Sequence, residues 1–355
     1  MSPSISNTIS ITPEGSALIA ANIAGYTIIF VISLIGNLII SIITVRKKTG
    51  RTPTDLLIFA LAICDLLITA SIPFMAASII HPFFPFGNGG CKLLFGLRNT
   101  AIYASSFILL VISLERCYAT FDLTGSRRDL RITIGFISLC VIIAFGLTIP
   151  QFIVLQLINT GNVSVHCVER WHVDFDVGRK VYSVILMILT FAIPFITITI
   201  SNIVMCYKLF YVKRKSTANQ MRLKAKRRVV AVMIAVSAVF FICLLPIYLL
   251  NTLLDFYVTG YTQPIFVAIY VFTWMAYSHS MWNPIIYIIG SSNMRKSCKA
   301  LLRIGQHNSA IRYKNARNAN SKQNLNMIGT ALPLPKNKIA PLQNDTPINE
   351  LVSVK

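Results

Sequence analysis

Apolar residues run along this chain in seven long blocks, separated by short stretches rich in basic or turn-forming residues. A helix needs about 20 mostly apolar residues to cross a hydrocarbon layer. Gly15 to Val45 and Leu56 to Ile80 reach that length, the first without a charge and the second with Asp65 alone. Asn99 to Leu114 is uncharged and extends to about Cys91 and Thr120 if Lys92 and Arg98 face the interior. Ile132 onward is uncharged, with a helix end predicted near Leu157 by Pro150 and the turn signal at Asn159-Thr160-Gly161-Asn162. Val181 to Tyr207, Val229 to Leu254, and a last block between Phe256 and Met294 that opens with a Gly260/Pro264 loop complete the set. Turn signals lie between the blocks and not within them, which argues for helices over the short alternating strands of a barrel.

Composition strengthens that reading. Of 355 residues 55% are hydrophobic and only 13% charged, with a mean hydropathy of +0.66. Soluble domains carry about 25% charged residues, so a soluble enzyme and a disordered chain are both excluded. The formal net charge of +21 does not indicate nucleic acid, because the basic residues sit in blocks between apolar runs. The distribution fits the rule that Lys and Arg stay on the cytoplasmic side. By that rule 28 of the 33 basic residues fall on one side, which puts the amino terminus outside and the carboxyl terminus inside. The predicted organisation is an outer segment over 1–22, a transmembrane domain over 23–290, an amphipathic helix over 291–304 and a disordered cytoplasmic tail over 305–355. The first 22 residues hold no Lys or Arg, so a cleaved signal peptide is not expected and the first helix serves as its own signal.

Topology sorts the cysteines. Of eight, only Cys91 and Cys167 reach the oxidising face. Two thiols alone there are expected to pair, fastening the loop between helices four and five over the top of helix three; the alternative is two unpaired buried thiols. Asn162-Val163-Ser164 in the same loop is a glycosylation acceptor, with Asn162 the modified residue. Charge at membrane depth points to function. Asp65 is the one acid in mid-span, and Asn37, Ser105, Ser280 and Asn283 are its candidate neighbours. Together they form either a small-cation site, sodium being the fitting ion, or a hydrogen-bonded polar knot that sets helix packing. Glu115 and Arg116 close helix three, and Pro194, Pro246 and Pro284 interrupt the last three helices.

Over about residues 20 to 304 the sequence resembles the rhodopsin-like (class A) G-protein-coupled receptors. The fragments are Gly36-Asn37, Leu61-Ala62-Ile63-Cys64-Asp65, Pro85-Phe86-Gly87 before Cys91, and Ser113-Leu114-Glu115-Arg116-Cys117-Tyr118. Phe240, Cys243 and Pro246 follow, then Asn283-Pro284-Ile285-Ile286-Tyr287 and Asn293-Met294-Arg295-Lys296. Each is weak alone; in this order and spacing they are specific. The resemblance implies an all-α membrane protein: a seven-transmembrane helix bundle with a short amphipathic eighth helix, on which Cys298 is a palmitoylation candidate. It implies coupling to a heterotrimeric G protein through Glu115 and Arg116, with Phe240, Pro246, Asn283, Pro284 and Tyr287 rearranging on activation. It also implies a sodium pocket of Asp65, Ser105, Ser280 and Asn283. Several positions depart from the family pattern: Leu244 replaces a tryptophan, Asn202 a tyrosine, His279 an asparagine beside that pocket, Cys117 a tyrosine and Phe84 a tryptophan, and helix four has no tryptophan.

Arg98 lies seven residues, about two helical turns, below Cys91 and so faces the outer cavity. An arginine there repels an amine ligand, and helix seven offers Tyr277 but no lysine for retinal. Arg98 either binds a carboxylate, phosphate or sulfate of a ligand or pairs with Glu169 or Asp255 to hold the lid. Ile102, Tyr103, Lys180, Tyr248, Asn251, Tyr270, Thr273 and Tyr277 are the other candidate wall residues, with Glu169 at the rim. This mixed wall favours a peptide, in neuropeptide signalling, over a lipid or small organic acid. Arrestin, receptor kinases and anionic membrane lipids are the remaining expected partners. A seven-helix transporter or channel is the rival class, disfavoured by a single mid-membrane acid and no visible repeat. No metalloprotease, serine-hydrolase or phosphate-loop motif supports an enzyme.

Overall fold

Seven long helices form the bundle in a computed structural model. It describes residues 13–47, 50–80, 84–121, 129–159, 165–171, 176–211, 217–257, 263–291 and 294–301. The helices are α1 (Pro13–Arg46), α2 (Pro53–Ile80), α3 (Gly87–Phe121), α4 (Leu130–Val154), α6 (Thr217–Tyr257) and α7 (Gln263–Gly290). Between α4 and α6, α5 runs through Asp176–Leu186, a π-helical stretch Met187–Ala192 and Ile193–Tyr211. Residues 294–301 form the short helix α8. A ring closes where α1 packs on both α2 and α7, and α3 runs through the middle against α2, α4, α5 and α6.

The burial pattern is that of a bundle in lipid. The buried residues of α4, Thr133, Cys140, Ala144, Thr148 and Gln151, follow one helical stripe. The rest of that helix points outward as bare hydrocarbon, with Ile142 66% and Ile153 69% exposed. No water-soluble fold leaves such a belt uncovered, and side chains this apolar are at home only against acyl chains. Six helices are long and apolar enough to span by composition. The seventh, α7, is long enough but dilutes its apolar run with Ser278, His279, Ser280 and Asn283, all buried inside the bundle.

Two element boundaries differ from the sequence expectation. Helix four stops at Val154, not near Leu157, because Leu155–Asn159 turns extended as β1 and pairs antiparallel with β2, Val165–Glu169. Leu157 faces Cys167 in that register. The Cys91–Cys167 disulfide then pins the hairpin to the first turn of α3, where Phe84 and Leu155 bury against Cys91. At the start of the chain, α1 begins at Pro13, two residues ahead of the apolar block that opens at Gly15. Asn162 and residues 302–355, which hold all of the expected tail, lie outside the described residues.

Prolines inside the spans set a packing problem, since each removes the N–H that would bond the carbonyl four residues earlier. Pro284 frees the Ser280 carbonyl, and Asn37 Nδ2 of α1 donates to it at 3.0 Å. In the π-helical stretch, where the Ile193 N–H bonds the Ile188 carbonyl five residues back, Ser106 Oγ of α3 donates to the Thr190 carbonyl at 2.6 Å. The first arrangement needs α1 and α7 in close approach. Gly36 provides it: a Cβ there would stand 2.5 Å from Pro284 Cγ. Gly36→Ala is therefore expected to lower the stability of the purified protein by ~1–3 kcal/mol through overpacking. Gly146→Ala, in open space on α4, is expected to cost nothing; thermal unfolding of both variants is the check.

Candidate functional site

At the end of the bundle that carries the disulfide, α2, α3, α6 and α7 enclose a cavity of about 290 Å³, floored by Leu244 and capped by Glu169 of β2. Arg98, Ile102, Tyr103, Glu169, Tyr248, Asn251, Thr273 and Tyr277 of the expected wall line it. Lys180 and Tyr270 do not: neither side chain reaches the lining.

The Arg98 guanidinium is held by neutral groups. It donates to Tyr277 Oη at 3.0 Å and to Asn99 Oδ1 at 3.0 and 3.1 Å, and it lies 4.9 Å above the centre of the Phe95 ring. No carboxylate of a described residue lies within salt-bridge distance of it. The two acids that might have neutralised it are engaged elsewhere: Asp255 pairs with Arg179 at 3.2 Å and accepts from Ser183, while Glu169 accepts from Gln151 and Trp171. Burial pushes the Glu169 carboxyl above the ordinary carboxylate range, against the pull of the Trp171 indole, Arg98 and Gln151.

Sequence reasoning missed Asn99 and Gln151, which join these two charges. Asn99 Nδ2 donates to Gln151 Oε1 at 3.0 Å, and Gln151 Nε2 donates to Glu169 Oε1 at 3.2 Å. Each amide accepts from the cationic side and donates toward the anionic side, so the relay has one polarity. Uncharged residues adjoining a predicted site give no sequence signal; only a helical stripe on α4 ending at Gln151 hinted that its amide turns inward.

Below the cavity a polar seam crosses α1, α2 and α7. Ser33 Oγ contacts Thr69 Oγ1 at 2.6 Å and donates to Ser280 Oγ at 3.0 Å, and Asn283 Nδ2 donates to Asp65 Oδ2 at 2.7 Å. His279 packs its ring edge-on to Phe240 at 5.2 Å, with Nε2 3.8 Å from Asp65 Oδ1. These residues do not fit the expected sodium set. Asn283 turns a donor, not an oxygen, toward Asp65, and the Ser280 oxygen already accepts from Ser33. His279 fills the space against the remaining carboxylate oxygen. Of the expected ligands, Asp65 Oδ1, Ser105 Oγ and Asn37 Oδ1 are buried without a hydrogen-bond partner.

The opposite end carries the basic residues. Arg116 Nε lies 3.1 Å from Glu115 Oε2, which also accepts from Thr54 at 2.8 Å. The Arg116 N–H does not point at the oxygen, so the pair is a Coulomb contact between sequence neighbours and not a hydrogen bond. Arg116 lines a cavity of about 600 Å³ with Arg228, Tyr287 and Lys296. Tyr287 is buried, its hydroxyl without a partner. Asn202 lies in a groove between α5 and α6 that opens toward lipid, and Pro246 sits inside α6 two residues past Leu244.

A ring of seven helices, a disulfide-pinned hairpin over a cavity and a mid-span Asp–Asn pair together define a membrane receptor fold. Residues 36–287 match the seven-transmembrane receptor (rhodopsin family) profile, and the chain belongs to that family. It is a multi-pass membrane receptor and not an enzyme. It is 26% identical to somatostatin receptor type 3 of Mus musculus over 321 residues, spanning 84% of this chain and 73% of that receptor. Identity to neuropeptide FF receptor 1 of Rattus norvegicus is 26%, over 82% of this chain and 72% of the relative. Neuropeptide receptor 22 of Caenorhabditis elegans is 30% identical over 76% of this chain and 67% of its own length.

The misfit at Asp65 has a direct test. The purified receptor is expected to unfold at the same temperature in sodium chloride as in choline chloride, and His279→Asn is expected to gain a sodium-specific rise. A sodium-specific rise in the unmodified chain would contradict this reading of the polar seam.

Proposed function

We propose that this chain is a plasma-membrane receptor that binds an extracellular peptide through the cavity around Arg98 and activates a heterotrimeric G protein at its basic end. The amino terminus then lies outside and the carboxyl terminus in the cytoplasm, the arrangement the Lys/Arg distribution favours. The observation that carries the ligand class is the Arg98 guanidinium, enclosed with neutral partners only. Even half-buried, a cation without a counter-ion is costly, and a ligand carboxylate or a cluster of carbonyls relieves that cost. The cavity of about 290 Å³ is at the small end for a ligand site. It holds the end of a chain, leaving the remainder against the hairpin. The names of the relatives, somatostatin and neuropeptide FF receptors, support a peptide over a lipid or small organic acid. In this topology Asn162 is a glycosylation site, Cys298 of α8 an acylation site, and Ser309, Ser321, Thr330, Thr346 and Ser353 are acceptors for receptor kinases ahead of arrestin.

The experiment is a screen of peptide and lipid libraries in cells carrying a promiscuous G-protein reporter, followed by variants at both ends. A peptide agonist is expected, and Arg98→Ala is expected to lower its potency about 10- to 100-fold, the loss of one charge-assisted contact. Arg116→Ala is expected to abolish agonist-driven nucleotide exchange while agonist binding persists. A lipid agonist, or unchanged potency in both Arg98→Ala and Arg98→Lys, would overturn the ligand assignment.

A further inference from the structure

The lipid-facing belt is bare hydrocarbon on α4, but between α5 and α6 it is not. There the two helices leave a groove of about 880 Å³, within the size range of a ligand site. Ile198 and Phe241 floor it, both buried. Phe195 stands edge-on to Phe241 at one end, with 4.9 Å between ring centres. Thr199 and Asn202 of α5 and Ser237 of α6 add three polar side chains to the same lining. Thr199 and Asn202 are three residues apart, so they share a face of α5.

These polar groups sit at hydrocarbon depth. Asn202 lies within the apolar span Val177–Phe210. It comes six residues, about 9 Å along the axis, before Lys208, the first basic residue after Lys180. Asn202 Oδ1 is buried and has no hydrogen-bond partner. Ser237 cannot supply one, because its hydroxyl donates to the Met233 carbonyl at 2.9 Å. Hydrocarbon holds no water, so an unpaired amide oxygen there is costly. A group that enters the groove with a donor removes that cost.

Shape decides between a helix and a flexible chain as the occupant. Ile203, Tyr207 and Phe210 stand out from α5 at the groove, 63%, 66% and 62% exposed. Helices that pair in lipid do so over small residues that let their backbones approach, and these three side chains hold a partner helix off. A slender acyl chain passes between them. Lipid headgroups stay at the interface, so the donor that meets Asn202 belongs to the chain itself. A hydroxyl fits best, since it donates to Asn202 Oδ1 and leaves its own oxygen to accept from Thr199.

We propose that the α5–α6 groove is a binding site for a lipid whose acyl chain carries a mid-chain hydroxyl. Asn202 recognises the hydroxyl, and the tail beyond it lies along Phe195 and Phe241. The site is separate from the cavity at Arg98 and does not rest on the peptide reading. A chain seated in it touches α5 and α6 together.

Native mass spectrometry tests this on the full-length receptor in micelles, with equal amounts of octadecanoic acid and its mid-chain hydroxylated analogue. The unmodified receptor is expected to retain the hydroxylated acid about fivefold to tenfold over the plain one, the effect of one buried hydrogen bond. Asn202→Leu, similar in volume but without the amide, is expected to level the two. Ala238→Phe, which fills the groove from α6, is expected to lower retention of both. Equal retention of the two acids by the unmodified receptor would overturn the proposal, as would an undiminished preference in Asn202→Leu. A dimer that Asn202→Leu dissolves would also overturn it, by assigning the groove to a second copy of this chain.

Discussion

A backbone carbonyl without a donor is tolerable at a protein surface and costly in hydrocarbon, and this constraint organises the bundle. Proline in mid-helix creates such carbonyls within the spans, and helix termini create them at the ends. At several of these sites a polar side chain is sent across from a neighbouring helix. Asn37 serves the Ser280 carbonyl freed by Pro284, and Ser106 serves the Thr190 carbonyl in the π-helical stretch of α5. Basic residues of α6 serve the ends of α3, α5 and α7. Every one of these bonds crosses between helices, so the groups that satisfy the backbone also fix helix positions. A helix that shifts must exchange these donors, and that makes the bundle a body with a few discrete arrangements and not a continuum.

The two ends of the molecule then communicate through what lies between. Arg98 donates to Tyr277, whose hydroxyl contacts Ser71 of α2 at 3.3 Å. One turn further along α7 come Ser280 and Asn283, joined to α1 and α2 through Ser33 and Asp65, and a turn beyond them Tyr287 borders the cavity at Arg116. Arg98 is thus joined directly to the helix that carries the seam. His279 stands beside Asp65 where the family pattern has an asparagine, with Nε2 3.8 Å from the carboxylate.

Much of the architecture was legible in the sequence because it follows from apolar runs and loop charge, signals summed over dozens of residues. Spacing located the helices, and compartment alone paired Cys91 with Cys167. Two features escaped. The hairpin is built from five-residue strands, too short to show an alternation, and it formed where a helix was expected to continue. The site was legible at Arg98, Glu169 and Tyr277, whose chemistry is conspicuous, and illegible at Asn99 and Gln151, which are ordinary until folding aligns them. Lys180 and Tyr270 were misplaced because a helical wheel gives the direction of a side chain but not its depth or reach.

The claim most exposed to test is that donors from neighbouring helices are there to satisfy carbonyls that proline has freed. A double-mutant cycle on Asn37→Ala and Pro284→Ala, followed by the unfolding free energy of the purified receptor in mixed micelles, isolates that bond. Alanine at 284 restores an N–H to the Ser280 carbonyl, so losing Asn37 is predicted to be less damaging in that background, with a coupling of ~0.5–1.5 kcal/mol. Strictly additive effects of the two substitutions would contradict the account.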